Sequence, residues 1–151
     1  LYYNRTSTGR PADPNNSFTS KYIDGPWEPL YPFGFGLSYT TFEYSDLQVR
    51  NTGDAIFVQA QVKNSGNLAG EEVAQCYVRD LVASRVRPIR ELKGFSKLLL
   101  QPGESCQICF EIKHAELGFY GQDMEYMLEP GGFDLWVGPH SAAGLHGRVI
   151  L

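Results

Sequence analysis

The sequence predicts an all-β fold, an antiparallel β-sandwich preceded by an irregular, aromatic-rich arm, and three observations carry that prediction. From Phe42 onward apolar residues return at every second position in short runs, the period of a half-buried strand. Clusters of Gly, Pro, Asn and Asp interrupt those runs every 8 to 15 residues, and no stretch repeats its apolar positions with helical period. Before Phe42 neither period is sustained, yet residues 1–44 hold 11 of the 20 aromatic side chains.

The arm covers residues 1–41. Pro11, Pro14, Pro26 and Pro29 force extended or turning backbone on it. Disordered tails are poor in aromatics, so a segment this rich in rings is expected to lie on a surface, either of its own domain or of a neighbouring copy. In Tyr31-Pro32-Phe33-Gly34-Phe35-Gly36-Leu37-Ser38-Tyr39-Thr40-Thr41-Phe42, glycines alternate with aromatics, which specifies an irregular path. Trp27, Tyr31, Phe33, Phe35 and Tyr39 are the expected docking side chains of the arm.

The sandwich is expected over residues 42–151. Phe42 and Tyr44, then Leu47 and Val49, share a strand with one odd step, which predicts a bulge at Ser45-Asp46. After the turn Asn51-Thr52-Gly53-Asp54, Ile56, Val58, Ala60 and Val62 alternate with Phe57, Gln59, Gln61 and Lys63 in the clearest half-buried strand. A third strand covers 71–79, and 80–90, with Pro88 and several basic residues, forms a longer solvated loop. The fourth strand runs from Leu92 to Leu99, with Gly94 marking a bulge or a close approach. Pro102-Gly103 centres a type II turn before a fifth strand, Ser105 to Lys113. A one-turn or irregular link over 114–123 leads to a short sixth strand at 124–128. Pro130-Gly131 repeats the Pro-Gly turn ahead of Phe133, Leu135 and Val137, and a last strand closes the chain at 145–151.

Chemistry is sparse in this sequence. A net charge of −4 supplies no field to recruit nucleic acid or an anionic membrane, and the apolar runs are far too short to span a bilayer. Arg79, Arg85, Arg87, Arg90, Lys93 and Lys97 are clustered, but Asp80 and Glu91 interrupt them. Cys106 and Cys109 form a C-x-x-C, but on a strand residues three apart face opposite ways and cannot share a metal; neither metal nor cofactor is expected. Adjacent Glu71 and Glu72 likewise face apart, one solvated and one structural. His114, His140 and His146 have no partner at nucleophile or ligand spacing, so no catalytic residue is assigned. Trp136, Tyr120, Tyr126 and Phe57 are candidates for a polysaccharide-binding face if they stand exposed in a row, and an arm without its partner surface could instead pair two copies of the chain.

Four segments resemble one known family. The dodecapeptide 31–42, Gly70-Glu71-Glu72-Val73-Ala74-Gln75-Cys76-Tyr77-Val78-Arg79-Asp80, Arg87-Pro88-Ile89-Arg90-Glu91-Leu92-Lys93-Gly94-Phe95 and Glu129-Pro130-Gly131-Gly132-Phe133 resemble the linker and C-terminal domain of family 3 glycoside hydrolases, the β-glucosidases and related exo-glycosidases. The resemblance implies an immunoglobulin or fibronectin type III-like sandwich after the end of a middle domain at Tyr2-Tyr3-Asn4. It implies a secreted or periplasmic parent whose catalytic carboxylates lie in other domains, and a non-catalytic accessory role for this piece, with those catalytic domains as its partner. Leu128-Glu129-Pro130-Gly131-Gly132-Phe133 resembles the tyrosine-corner entry of fibronectin type III domains, with Phe133 in place of the tyrosine. The first methionine is Met124, which fits a piece of a longer polypeptide.

Overall fold

A computed structural model describes residues 28–151 together with Asp13, Asn15, Asn16, Phe18 and Thr19. Trp27 and the expected middle-domain end lie outside the described residues. Among the described residues nine antiparallel strands follow in order: β1 (Phe42–Asn51), β2 (Ala55–Asn64), β3 (Gly70–Asp80), β4 (Glu91–Leu100), β5 (Ser105–Lys113), β6 (Phe119–Tyr120), β7 (Tyr126–Met127), β8 (Gly132–Gly138) and β9 (Leu145–Ile150). One sheet has the order β1-β2-β5 and the other β4-β3-β8-β9, with β6 and β7 as a separate hairpin.

The alternation in the sequence becomes the core between the sheets. Ile56, Val58, Ala60 and Val62 of β2 and Ile108, Phe110 and Ile112 of β5 face Ala74, Cys76 and Val78 of β3 and Phe133, Leu135 and Val137 of β8. Each of the larger aliphatic side chains contributes about 1.5–3 kcal/mol by leaving water. The expected bulge in β1 is present: the register with β2 shifts between Ser45 and Gln48, and Asp46 takes a left-handed backbone with φ 55°. Gly94 serves both of its expected purposes. Pairing with β3 skips Lys93 beside it, and a Cβ on Gly94 would stand 2.8 Å from the Phe110 ring. Gly103 has φ +79°, and the Glu104 N–H donates to the Gln101 carbonyl at 3.0 Å, closing the turn that Pro102-Gly103 predicts.

Three expectations are corrected. Pro130-Gly131 is not a turn: its backbone runs on into β8, and the Gly131 carbonyl accepts the Leu151 N–H at 3.0 Å. The sixth strand is reduced to Tyr126–Met127, which pairs with Phe119–Tyr120 after a 3₁₀ turn at His114–Leu117. The loop 80–90 is not simply solvated. Arg87 binds Glu91 at 2.9 Å, donates to the Leu117 carbonyl at 3.1 Å and lies over the Phe119 ring at 4.8 Å, tying the loop to the small hairpin. Among the described residues no helix is long and apolar enough to cross a membrane.

The three cysteines are free thiols in different settings. Cys76 is buried in the core, and desolvation pushes its pKa up to about 12; Cys106 packs against the core and Cys109 faces out on the same strand. Because the thiolate is the nucleophile, alkylation of the native protein at neutral pH is expected to mark Cys109 first and Cys76 only on unfolding, as mass spectrometry of a labelling time course would record.

Candidate docking surface

The outer face of the four-stranded sheet is where the fold departs from simple alternation. Along β3 the residues from Ala74 to Val78 are all buried, although Gln75 and Tyr77 point away from the core. They are buried because the arm lies on them. The Gln75 amide donates to the Gly34 carbonyl at 3.1 Å and to the Pro139 carbonyl. The Tyr77 hydroxyl donates to Gln75 Oε1 and lies 3.4 Å from the Phe33 carbonyl, which in turn accepts the Ser141 N–H at 2.9 Å. Two successive carbonyls of the arm are thus clipped to β3 and to the loop after β8. Arg90 fixes that loop from the other side, donating to the Ser141 carbonyl while its guanidinium lies 3.9 Å from the centre of the Trp136 ring.

Gly34 is the residue the clip requires. Its φ is +80°, and a Cβ there would come within 2.0 Å of Gln75 Oε1. Gly34→Ala is therefore expected to open the clip and to cost about 1–3 kcal/mol from backbone strain and the lost contact, measurable by urea unfolding.

The base of the arm is pinned separately. Buried Asn64, the last residue of β2, accepts the Thr40 hydroxyl at 2.7 Å and donates to the carbonyls of Leu68 at 2.8 Å and Leu100 at 2.9 Å. The Ser65 N–H donates to the Thr41 carbonyl at 2.8 Å. The apolar side chains of the arm around these two anchors divide. Phe35 packs against His140 at 5.9 Å and Tyr31 against Phe35 at 5.2 Å, whereas Leu37 and Tyr39 are 91% and 99% exposed. The described end of the arm, residues 33–41, thus packs along its own domain and leaves Leu37 and Tyr39 facing outward.

The four candidates for a carbohydrate face are not brought together. Phe57 stands on the outer face of β2, among polar neighbours of the three-stranded sheet. Trp136 is on the outer face of β8, half-buried under Arg90 and stacked on His146 at 5.2 Å. Tyr120 and Tyr126 form a separate exposed pair across β6 and β7, their planes inclined at 69°.

The remaining polar groups are used locally. His146 and Arg148 bind Asp134 at 3.1 and 2.6 Å, and the Arg148 hydrogen bond holds the Asp134 carboxyl below the usual range. Glu71 and Glu72 divide as the alternation requires: Glu71 pairs with Lys97 at 2.7 Å in solvent, and Glu72 accepts the Tyr44 hydroxyl at 2.7 Å. Burial, reinforced by that bond, raises the pKa of Tyr44. Cys106 and Cys109 face opposite sides of β5, and among the described residues no group of three His, Cys, Asp or Glu side chains is arranged to hold a metal.

Three strands packed on four, with the fourth strand beside the third, define a fibronectin type III-like domain, and the family model of that description matches residues 72–141. Over its full length the chain is 42% identical to the periplasmic beta-glucosidase of Salmonella typhimurium, of which it covers 20%. It is 44% identical, over 76% of its length, to thermostable beta-glucosidase B of Acetivibrio thermocellus, covering 16% of that protein. The crystal structure of beta-glucosidase from Listeria innocua superposes with a TM-score of 0.91 at 40% identity, over 99% of this chain and 22% of that one. The chain is similar to the fibronectin type III-like part of these beta-glucosidases, and it spans between about a tenth and a fifth of the length of the curated relatives it matches.

Proposed function

We propose that this chain is a non-catalytic accessory domain of a larger β-glucosidase-like enzyme, and that it docks on the catalytic domains of the same polypeptide through the arm and the adjoining face of the four-stranded sheet. The observation that carries this reading is the pairing of constraint with exposure: hydrogen bonds hold the arm in place on both sides of Leu37 and Tyr39, yet those two side chains are 91% and 99% exposed. Holding apolar side chains rigidly in water stabilises nothing within the domain, whereas covering them with a partner gains about 25 cal/mol per Å². The names of the relatives support a parent that acts on β-linked glucosides in carbohydrate metabolism, and the periplasmic relative supports a parent that works outside the cytoplasm.

Removing residues 42–151 from the longer polypeptide tests this reading. The melting temperature and the glycosidase rate are both expected to fall; if neither changes, the docking role is wrong.

A further inference from the structure

One row across the outer face of the four-stranded sheet holds more positive charge than the domain neutralises. Strand pairing sets Arg79 of β3 opposite Asp134 of β8, and Asp134 opposite Arg148 of β9, on the face that carries Tyr77, Trp136 and His146. Arg90 extends the row at the head of β4, one step beyond the Val78–Glu91 pair, and its guanidinium lies over Trp136 on that same face. Three arginines thus share one carboxylate, in a chain whose net charge is −4. That carboxylate is already spent: Arg148 donates to it from Nε at 2.6 Å and from Nη2 at 3.1 Å, and His146 lies 3.1 Å from it. Arg79 is half-buried, and its side chain makes no hydrogen bond or ion pair among the described residues. Arg90 is not free to move away from it. The Ser141 carbonyl and the Trp136 ring hold the Arg90 guanidinium in place, and burial, then the charge of Arg79, lower its pKa. Like charges set side by side across a sheet repel, so two arginines fixed in this way are an incomplete arrangement that an anion completes.

Resting on the docking reading, we infer that this row receives an Asp or Glu carboxylate of the adjoining part of the polypeptide, bonded by the Arg79 guanidinium beside Arg90. The unspent N–H fork of an arginine matches a carboxylate in shape as well as in charge. An acidic sugar fits less well, because Trp136 beside the row already lies under Arg90 and against His146 and gives a sugar no ring to stack on. The row is also continuous with the arm. Ser141, whose carbonyl holds Arg90, gives its N–H to the arm at Phe33, so a partner seated on the arm reaches the row along the same face. Charge complementarity of this kind sets register between surfaces that apolar contact alone leaves free to slide.

Arg79→Gln, which keeps most of the stem and removes the charge, tests this in two settings. In the 151-residue chain alone it relieves the repulsion on Arg90, so the melting temperature is expected to hold or rise. In the longer polypeptide the same change is expected to lower it, whereas Arg50→Gln, at an exposed arginine of the other sheet, changes neither. A nuclear magnetic resonance titration of the ¹⁵N-labelled chain at low salt reads the chemistry directly. N-acetyl-glutamate methylamide is expected to shift the amides of Arg79 and Asp134, its glutamine analogue to leave them in place, and Arg79→Gln to weaken the response about fivefold. An unchanged melting temperature in the longer polypeptide, or equal responses to the two probes, overturns the inference. So does tighter binding of glucuronate than of the glutamate probe, which would make the row a sugar-acid site. A melting temperature of the chain alone that falls both on dilution and with Arg79→Gln would assign the row to a contact between two copies and overturn it too. Each of these results leaves the docking reading to be decided separately by removal of residues 42–151.

Discussion

Tyr77→Ala is expected to destabilise the domain by about 3–5 kcal/mol, the usual cost of deleting a fully buried aromatic side chain, and to free the arm in the same step. On alternation alone Tyr77 belongs to the outside of its sheet, where an alanine would cost little. Its ring is nevertheless completely buried, lying between Leu92 and Trp136 across the sheet, with its hydroxyl at the Phe33 carbonyl. Tyr77→Phe retains that ring and loses the bond to Gln75 Oε1, so about 1–2 kcal/mol is expected. Urea unfolding separates the two variants. Hydrogen exchange at Ser141, whose N–H donates to Phe33, reports the arm directly and is expected to accelerate far more in the alanine variant. Equal costs for the two substitutions would mean that the arm does not cover the ring.

Asn64→Ala is expected to cost about 3 kcal/mol or more. The Asn64 side chain is fully buried and saturated, with both amide protons donated to carbonyls and its oxygen shared by the Thr40 hydroxyl and the Gly66 N–H. Alanine strands several of these partners at once, and each buried orphan costs about 1–3 kcal/mol. The near-isosteric Asn64→Asp separates bonding from volume. A carboxylate there would face the Leu68 and Leu100 carbonyls without protons to give, so burial and repulsion would raise its pKa in the folded state. A raised carboxyl pKa means that the folded form binds more protons than the unfolded form, so stability is lost as pH rises above about 4. The defect of Asn64→Asp should therefore be larger at pH 7 than near pH 4, and that of Asn64→Ala should not track pH in this way.

How far the sequence reveals the fold depends on what covers each strand. β2 and β5 pack on one side only, so Ile56–Val62 and Cys106–Ile112 alternate cleanly and their faces are read correctly. β3 is covered on both sides, by the core and by the arm, so its outward residues are buried as well and the alternation that would expose Tyr77 misleads. The partners of the clip lie 41 residues apart for Gln75 and Gly34 and 44 for Tyr77 and Phe33, distances no local pattern encodes. A tyrosine and a glutamine at outward positions opposite a glycine-aromatic arm are the only trace of the clip in the sequence. Pro130-Gly131 carries the composition of a turn, but the cross-tie from Leu151 holds it extended. β6 and β7, at two residues each, are too short to show a period. The aromatic loading of the arm was legible, and so was the outward place of Trp136, but not the cover that Arg90 and His146 lay on it.

The docking role can be tested by making one pair of substitutions in two settings. Leu37→Ser with Tyr39→Ser alters side chains that touch little within the domain, so the melting temperature of the 151-residue chain alone should hold within the span of about 0.5 kcal/mol typical of surface changes. The same pair placed in the longer polypeptide of the proposed function should lower its melting temperature clearly. Identical behaviour in the two settings would mean that nothing covers the arm, and the proposed docking role would fall with it.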